Sequence, residues 1–378
     1  ITNISVKEMI DADFDFTRTS SATRVNPDYL IETVATDIPR LDYTNGTASI
    51  LLEPQSTNLL TYSEDFSNAA WTKTGASVVS DATTSPDGSL NADKLMEDTS
   101  TGLHKIQVFY TFTAVDYSNS IRIKPNGTTK VSLWIDGASK GTKFDLSTGT
   151  IYSETSSLGK ITALPNGWFE IATTADGTSG TSYALYFYDD SWNVTYTGDG
   201  TSGVYIWGAQ AEALSYPTSY IPTNGSSQTR AAETCFGAGT SSTFNSTEGV
   251  LYAEISGELS GTNRYITLSD SAISDRVNIF FDASNNLKGF VNGISSISGG
   301  VAIQGTNKCA FKYKSGDIAF WVNGIEVGTS TATLSLTGLS QLSFNLSIGG
   351  NVFYGNVKDI RVYNEALTDA QLQTLTTL

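Results

Sequence analysis

The residues best equipped for chemistry lie in one short stretch, Tyr186–Gly200 (YFYDDSWNVTYTGDG). Binding a sugar needs a flat aromatic ring to lie against a pyranose face and planar polar groups to meet its hydroxyls. Tyr188 and Trp192 supply rings, and Asp189, Asp190, Asn193 and Asp199 supply polar groups. The same carboxylates are the hard oxygen ligands that Ca²⁺ takes, about six to eight at a time. The alternative is that the rings fill a core and the acids form solvated turns. A second set, Asp317, Trp321 and Asn323, surrounds the chain reversal at Asn323–Gly324, and alternation directs Trp321 to the face opposite Ile318.

Other chemistries are poorly provided for. His104 is the only histidine, so a Ser–His–Asp triad, a Cys–His pair or a multi-histidine zinc site would have to pass through it. A structural role is the simpler expectation for His104. Paired acids alternating along one strand, Glu-x-Asp-x-Glu, would serve as nucleophile and acid/base. The nearest approach, Glu254-Ile255-Ser256-Gly257-Glu258, lacks the middle acid and is stretched. The two cysteines, Cys235 and Cys309, are read as independent buried thiols or as one disulfide; sequence leaves both open.

The 378 residues carry 22 Lys+Arg against 38 Asp+Glu, a formal net charge of −16. A surface this acidic excludes nucleic acid as an expected partner, since phosphate binding needs basic groups. No apolar run approaches the roughly 20 residues of a membrane helix, so no membrane insertion is expected. Ile1–Ile10 mixes polar and apolar residues and does not read as a secretory signal. Aromatics make up 11%, which argues for a packed core rather than disorder.

The elements that must position these residues are strands. Asn-Gly, the favoured centre of a tight hairpin, occurs at Asn45, Asn126, Asn166, Asn224, Asn292 and Asn323. In Asp317–Val327, Ile318, Phe320 and Val322 alternate with Ala319 and Trp321 before Asn323–Gly324 reverses the chain. Val131, Leu133 and Ile135 alternate, as do Leu251, Ala253 and Ile255, and Val277, Ile279 and Phe281. The pattern predicts an all-β chain of two consecutive β-sandwich domains, with an extended N-terminal segment and one short C-terminal helix. That helix is signalled by Thr368 and Gln371 as a capping box, with Leu367 and Leu372 as a staple. A weaker capping box is Ser5-Val6-Lys7-Glu8. The expected divisions are 1–60 as a docking or extended segment, 61–222 as a first β unit, 223–247 as a linker and 248–378 as a second β unit. Arg18, Arg24 and Arg40 fall in the first segment, either as a docking surface or as ordinary ion pairs.

Two stretches carry a family resemblance. Gly249–Ile255, Lys308–Val327 (KCAFKYKSGDIAFWVNGIEV) and Gly349–Leu375 (GGNVFYGNVKDIRVYNEALTDAQLQTL) resemble a laminin-G-like, concanavalin-A-like lectin domain. Asn58–Trp71 and Gly203–Glu212 (GVYIWGAQAE) resemble a jelly-roll carbohydrate-binding module. Phe14–Asn26, Pro39–Asn58 (PRLDYTNGTASILLEPQSTN) and Tyr216–Glu233 (YPTSYIPTNGSSQTRAAE) resemble structural proteins of tailed bacteriophages, of tail-fibre, head-fibre or decoration type. The resemblance implies a non-catalytic virion surface protein that meets host cell-surface polysaccharide, packs with other virion proteins and forms a homo-oligomer, as fibre trimers do. A purely structural decoration protein is the alternative. A polysaccharide-degrading enzyme would require two carboxylates about 5–10 Å apart in a cleft.

Overall fold

The computed structural model describes residues 13–110, 115–136, 140–176, 182–257, 261–272, 274–301, 305–346 and 349–378. Ser5–Glu8 and Glu258 lie outside them. The described chain is all β apart from one 3₁₀ turn and the C-terminal helix Asp369–Thr376. It divides into two compact units, one within residues 19–48 and 53–232, the other within 13–18, 49–52 and 233–378.

The first unit is a sandwich of two antiparallel sheets with six strands each. One sheet runs, in spatial order, Thr150–Thr155, Lys140–Asp145, Lys130–Asp136, Ser182–Phe187, Lys105–Phe109 and Thr72–Thr74. The facing sheet runs Leu158–Ala163, Phe169–Asp176, Asp116–Asn126, Gly203–Glu212, Leu90–Glu97 and Ala76–Thr84. Alternation sends Val131, Leu133, Phe144, Ile106, Leu185 and Phe187 inward from the first sheet, onto Ile121, Ile123, Ile171, Val204 and Ile206 of the second. What remains on the outer side of the first sheet is therefore the opposite parity: Lys130, Ser132 and Trp134, Lys143, and Tyr186.

The second unit packs the strands Ile325–Ser330, Ile318–Val322, Asn307–Lys314, Glu248–Gly257, Gly355–Tyr363 and Ser49–Leu52 against a five-stranded sheet. Leu251, Ile255, Phe311, Phe320, Ile279 and Phe281 are among its core. The hairpin at Asn323–Gly324 forms as expected, with Val322 opposite Ile325 and both turn residues at positive φ, 51° and 81°. The capping box also forms: Gln371 donates its backbone N–H to Thr368 Oγ1, and Thr368 N–H donates to Gln371 Oε1 at 2.9 Å. Leu372 and the partly buried Leu367 hold the helix on the outer face of the larger sheet.

Residues 13–60 do not form one extended docking segment. Asp15–Thr17 pairs with Thr234–Phe236, and Ser49–Leu52 pairs with Gly355–Tyr363, both inside the second unit. Ala22–Val25 and Ile31–Val34 form a hairpin of the first unit. The stretch 223–247 is likewise not a bare linker, because Gln228–Arg230 pairs with Ser56–Asn58. The physical reason is charge: Arg18 is fully buried on Glu233 at 2.8 Å, and Arg40 on Glu53 at 2.8 Å. Neither guanidinium belongs to a basic docking surface. Arg24 pairs with Glu32 nearer the surface.

Residues of the segments 39–58 and 209–230 build a buried polar network in the first unit. Glu53 meets Arg40 and Arg230, each at 2.8 Å, and accepts the Ser219 backbone N–H at 2.8 Å. Glu212 accepts from Ser56 Oγ and from Thr218 N–H. Asn58 donates to the carbonyls of Ala209 and Ile221. Buried charges must be fully partnered, and this network supplies the partners.

Candidate functional site

The outer side of the first sheet carries a row of rings and lysines. Trp134 lies flat over Gly141, where a Cβ would meet the ring at 2.3 Å, so the cross-strand position must be glycine. Trp134 Nε1 donates to Ser132 Oγ at 2.5 Å, and Ser132 Oγ lies 3.0 Å from the Tyr188 hydroxyl. Tyr188 is thus a buried support at the sheet edge, with burial pushing its phenol pKa up.

Two backbone irregularities place the outermost rings. Between Lys143–Ser153 and Phe144–Ile151 the register slips, leaving Tyr152 as the unpaired residue of a β-bulge. Trp192 takes the left-handed conformation, φ 64°, in the turn after Tyr188. Asp189 builds that turn: its carboxylate accepts the N–H groups of Ser191 (2.9 Å) and Asn193 (2.8 Å) and the Asn193 side-chain amide (2.9 Å). These bonds, the Asn193 side chain first, lower the Asp189 pKa. The result is a parallel stack of Tyr152 on Trp192, centroids 4.0 Å apart and planes 12° apart. Tyr188 meets Trp192 at a tilt, 5.5 Å away.

Lysines complete the surface. The Lys143 ammonium sits 4.6 Å from the Tyr188 ring centre and 5.8 Å from that of Trp192. Lys130 lies 5.8 Å from Trp192 and 3.6 Å from the Asp190 carboxylate. Further along the same face, Lys105 lies over Tyr186 at 4.8 Å. Tyr152 remains 56% exposed. Such a surface can stack one sugar ring and donate hydrogen bonds from ammonium groups to its substituents.

The sequence-derived residues meet different fates. Tyr188, Asp189, Asp190, Trp192 and Asn193 come together at this corner, with Asp189 and Asn193 engaged in holding the turn and Asp190 exposed. Asp199 spends its carboxylate on a separate turn, accepting the N–H groups of Thr201 and Ser202, each at 2.6 Å. Those donors, Ser202 first, hold its pKa well below the usual range. Among the described residues no group of three or more His, Cys, Asp or Glu is placed to hold a metal ion. Asp317 pairs with Lys312 at 2.7 Å. Asn323 accepts the Lys308 N–H at 2.9 Å and serves the hairpin turn. Trp321 does point to the outer face of its sheet, but the C-terminal helix covers it, leaving it 7% exposed among Val250, Tyr252, Ala319 and Leu372. The three side chains of the second set thus make contacts within their own unit.

Tyr152 and Lys143 were not legible as site residues. Tyr152 sits in an ordinary strand pattern, and only the bulge turns it toward Trp192. Lys143 reaches the corner through cross-strand pairing with Ser132. His104 is fully buried, its ring nitrogens 2.6 Å from Gly75 O and 3.2 Å from Tyr196 O, clipping two strands of the unit together. Cys235 and Cys309 are free buried thiols.

No family model and no curated protein matches the chain. Among solved structures, similarity is found to the carbohydrate-binding module CBM40 of the Ruminococcus gnavus IT-sialidase bound to α2,3 sialyllactose. The identity is 13%, over 37% of this chain and 93% of that one, with a TM-score of 0.31. A putative carbohydrate-binding protein from Bacteroides ovatus is 11% identical over 74% of this chain and 82% of that one, TM-score 0.30. Domains LG4-5 of the mouse laminin α1 chain are 12% identical over 71% and 89%, TM-score 0.24. At these scores the likenesses carry no inference about what this chain binds.

Proposed function

We propose that this chain is a non-catalytic glycan-recognition protein of a tailed-phage virion surface, engaging host cell-surface polysaccharide through the Tyr152–Trp192 corner. The carrying observation is the parallel ring pair, Tyr152 exposed and Trp192 half-buried, placed by two backbone irregularities. Irregular backbone of this kind costs stability and recurs where function demands a particular side-chain placement. The virion setting rests on the resemblance of Phe14–Asn26, Pro39–Asn58 and Tyr216–Glu233 to phage structural proteins. A non-catalytic role is in keeping with the nearest acids, Asp189 held by its own turn and Asp190 lying 3.6 Å from Lys130.

A single stacked sugar binds weakly, and repetition of the site on an oligomeric fibre would convert that into firm attachment. The test is a glycan-array screen of the purified chain, with and without EDTA. Saturable binding, unchanged by EDTA, is expected. Absence of binding by folded protein would contradict the reading and favour a decoration role.

A further inference from the structure

We infer that the glycan taken at this corner carries a carboxylate, and that Lys143 holds it; the inference rests on the glycan reading above. In a chain with 38 acidic and 22 basic residues, a cation near several acids is expected to be paired. Lys143 is half-buried, and no salt bridge to it is found among the described residues. Its ammonium is instead held over Tyr188 and Trp192.

The surrounding charges explain why it is left available. Lys130 is engaged by the Asp190 carboxylate at 3.6 Å and by the Asp190 carbonyl at 3.0 Å. Asp189 is taken up by three donors of its own turn. Asp145, two residues along the strand, is turned to Ser147, accepting its N–H at 3.0 Å and its hydroxyl at 2.5 Å. Lys143 is flanked across its strand by Ser132 and Ser153, which bring hydroxyls and no charge.

A ring carboxylate projects from the edge of a pyranose, close to the ring plane. A sugar lying flat on Tyr152 presents that edge to neighbouring side chains rather than to the ring beneath. Lys143, 5.8 Å from the centre of Trp192 on which Tyr152 stacks, is the cation we assign to it. The two aromatic contacts hold the ammonium before binding, so less side-chain freedom is lost on pairing. Partial burial also protects the pair from salt better than a fully exposed one.

The test uses the full chain on oligogalacturonates and on the same oligomers with their carboxyl groups reduced, so that only the charge differs. Wild type is expected to prefer the acidic set by about tenfold, the worth of one charge-assisted hydrogen bond. Lys143→Met, which keeps the aliphatic stem, should abolish the preference. Lys143→Arg should retain it, and Lys160→Met, on an exposed position of the facing sheet, should leave it unchanged. Equal binding of both sets, stronger binding of the reduced set, or a preference that survives in Lys143→Met overturns the inference and leaves glycan recognition standing. Failure of both sets to bind folded wild type overturns the inference, and the glycan-array screen then decides whether the reading beneath it stands.

Discussion

Replacing Glu53 by Gln tests the buried network that ties the N-terminal strands to the first unit. Burial alone would raise the Glu53 pKa. The guanidinium groups of Arg230 and Arg40, with two donors from Ser219, outweigh it and bring the group from 4.5 to about 2. A folded pKa below the unfolded one means the group contributes stability above pH 4.5 and loses it as pH falls toward 2. At about 1.36 kcal/mol per unit of pKa, that contribution is on the order of 3 kcal/mol at neutral pH. Glu53→Gln should remove it and leave two buried cations short of a partner, a loss of about 3–5 kcal/mol. The lower end is expected, because Glu212 still faces Arg230 electrostatically. Five of the six tryptophans, all but Trp321, lie in this unit, so urea unfolding followed by tryptophan fluorescence reports on it directly. Wild type should weaken between pH 5 and pH 2 more steeply than the variant. A variant within about 1 kcal/mol of wild type at pH 7, with the same acid dependence, would refute the reasoning, since such a value belongs to an exposed pair.

Three further outcomes follow from packing. Gly141→Ala places a methyl against the Trp134 ring, so it should cost about 1–3 kcal/mol and shift tryptophan emission; an unchanged melting temperature and spectrum would contradict the packing. Leu372→Ala should cost about 2–5 kcal/mol in the second unit and undock the C-terminal helix from Trp321, raising quenching of that residue by acrylamide while leaving glycan binding intact. Both cysteines should resist a thiol reagent in the native state, because burial pushes the Cys235 thiol up to about 12 and raises that of Cys309 as well; reaction of either before unfolding would contradict their burial.

The parts of this protein legible in sequence are those governed by local rules. The Asn323–Gly324 hairpin follows from the need for two positive φ angles, and the Thr368/Gln371 box from the orphan donors of a helix start. Strand alternation gave the all-β class and the direction in which Trp321 points. What alternation cannot convey is what covers a face. Trp321 looks outward in its sheet, yet a helix some fifty residues later in the chain lies upon it. The fate of Arg18 and Arg40 was hidden for the same reason: their acid partners, Glu233 and Glu53, are known only once distant segments pair. Trp192 was legible because a ring among turn-forming residues is unusual. Tyr152 was not, because a register slip of one residue leaves no local mark on a strand rich in Thr and Ser.

The most direct test of the central claim is glycan-array binding by wild type beside Tyr152→Ala and Trp192→Ala, each checked for an unchanged unfolding midpoint. Removing one stacking ring should weaken binding by about tenfold or more, since a stacked aromatic is worth about 1–3 kcal/mol. Saturable wild-type binding lost in both folded variants is the result this account predicts. Wild-type binding that both variants retain would place the site elsewhere, and no wild-type binding at all would contradict the claim itself.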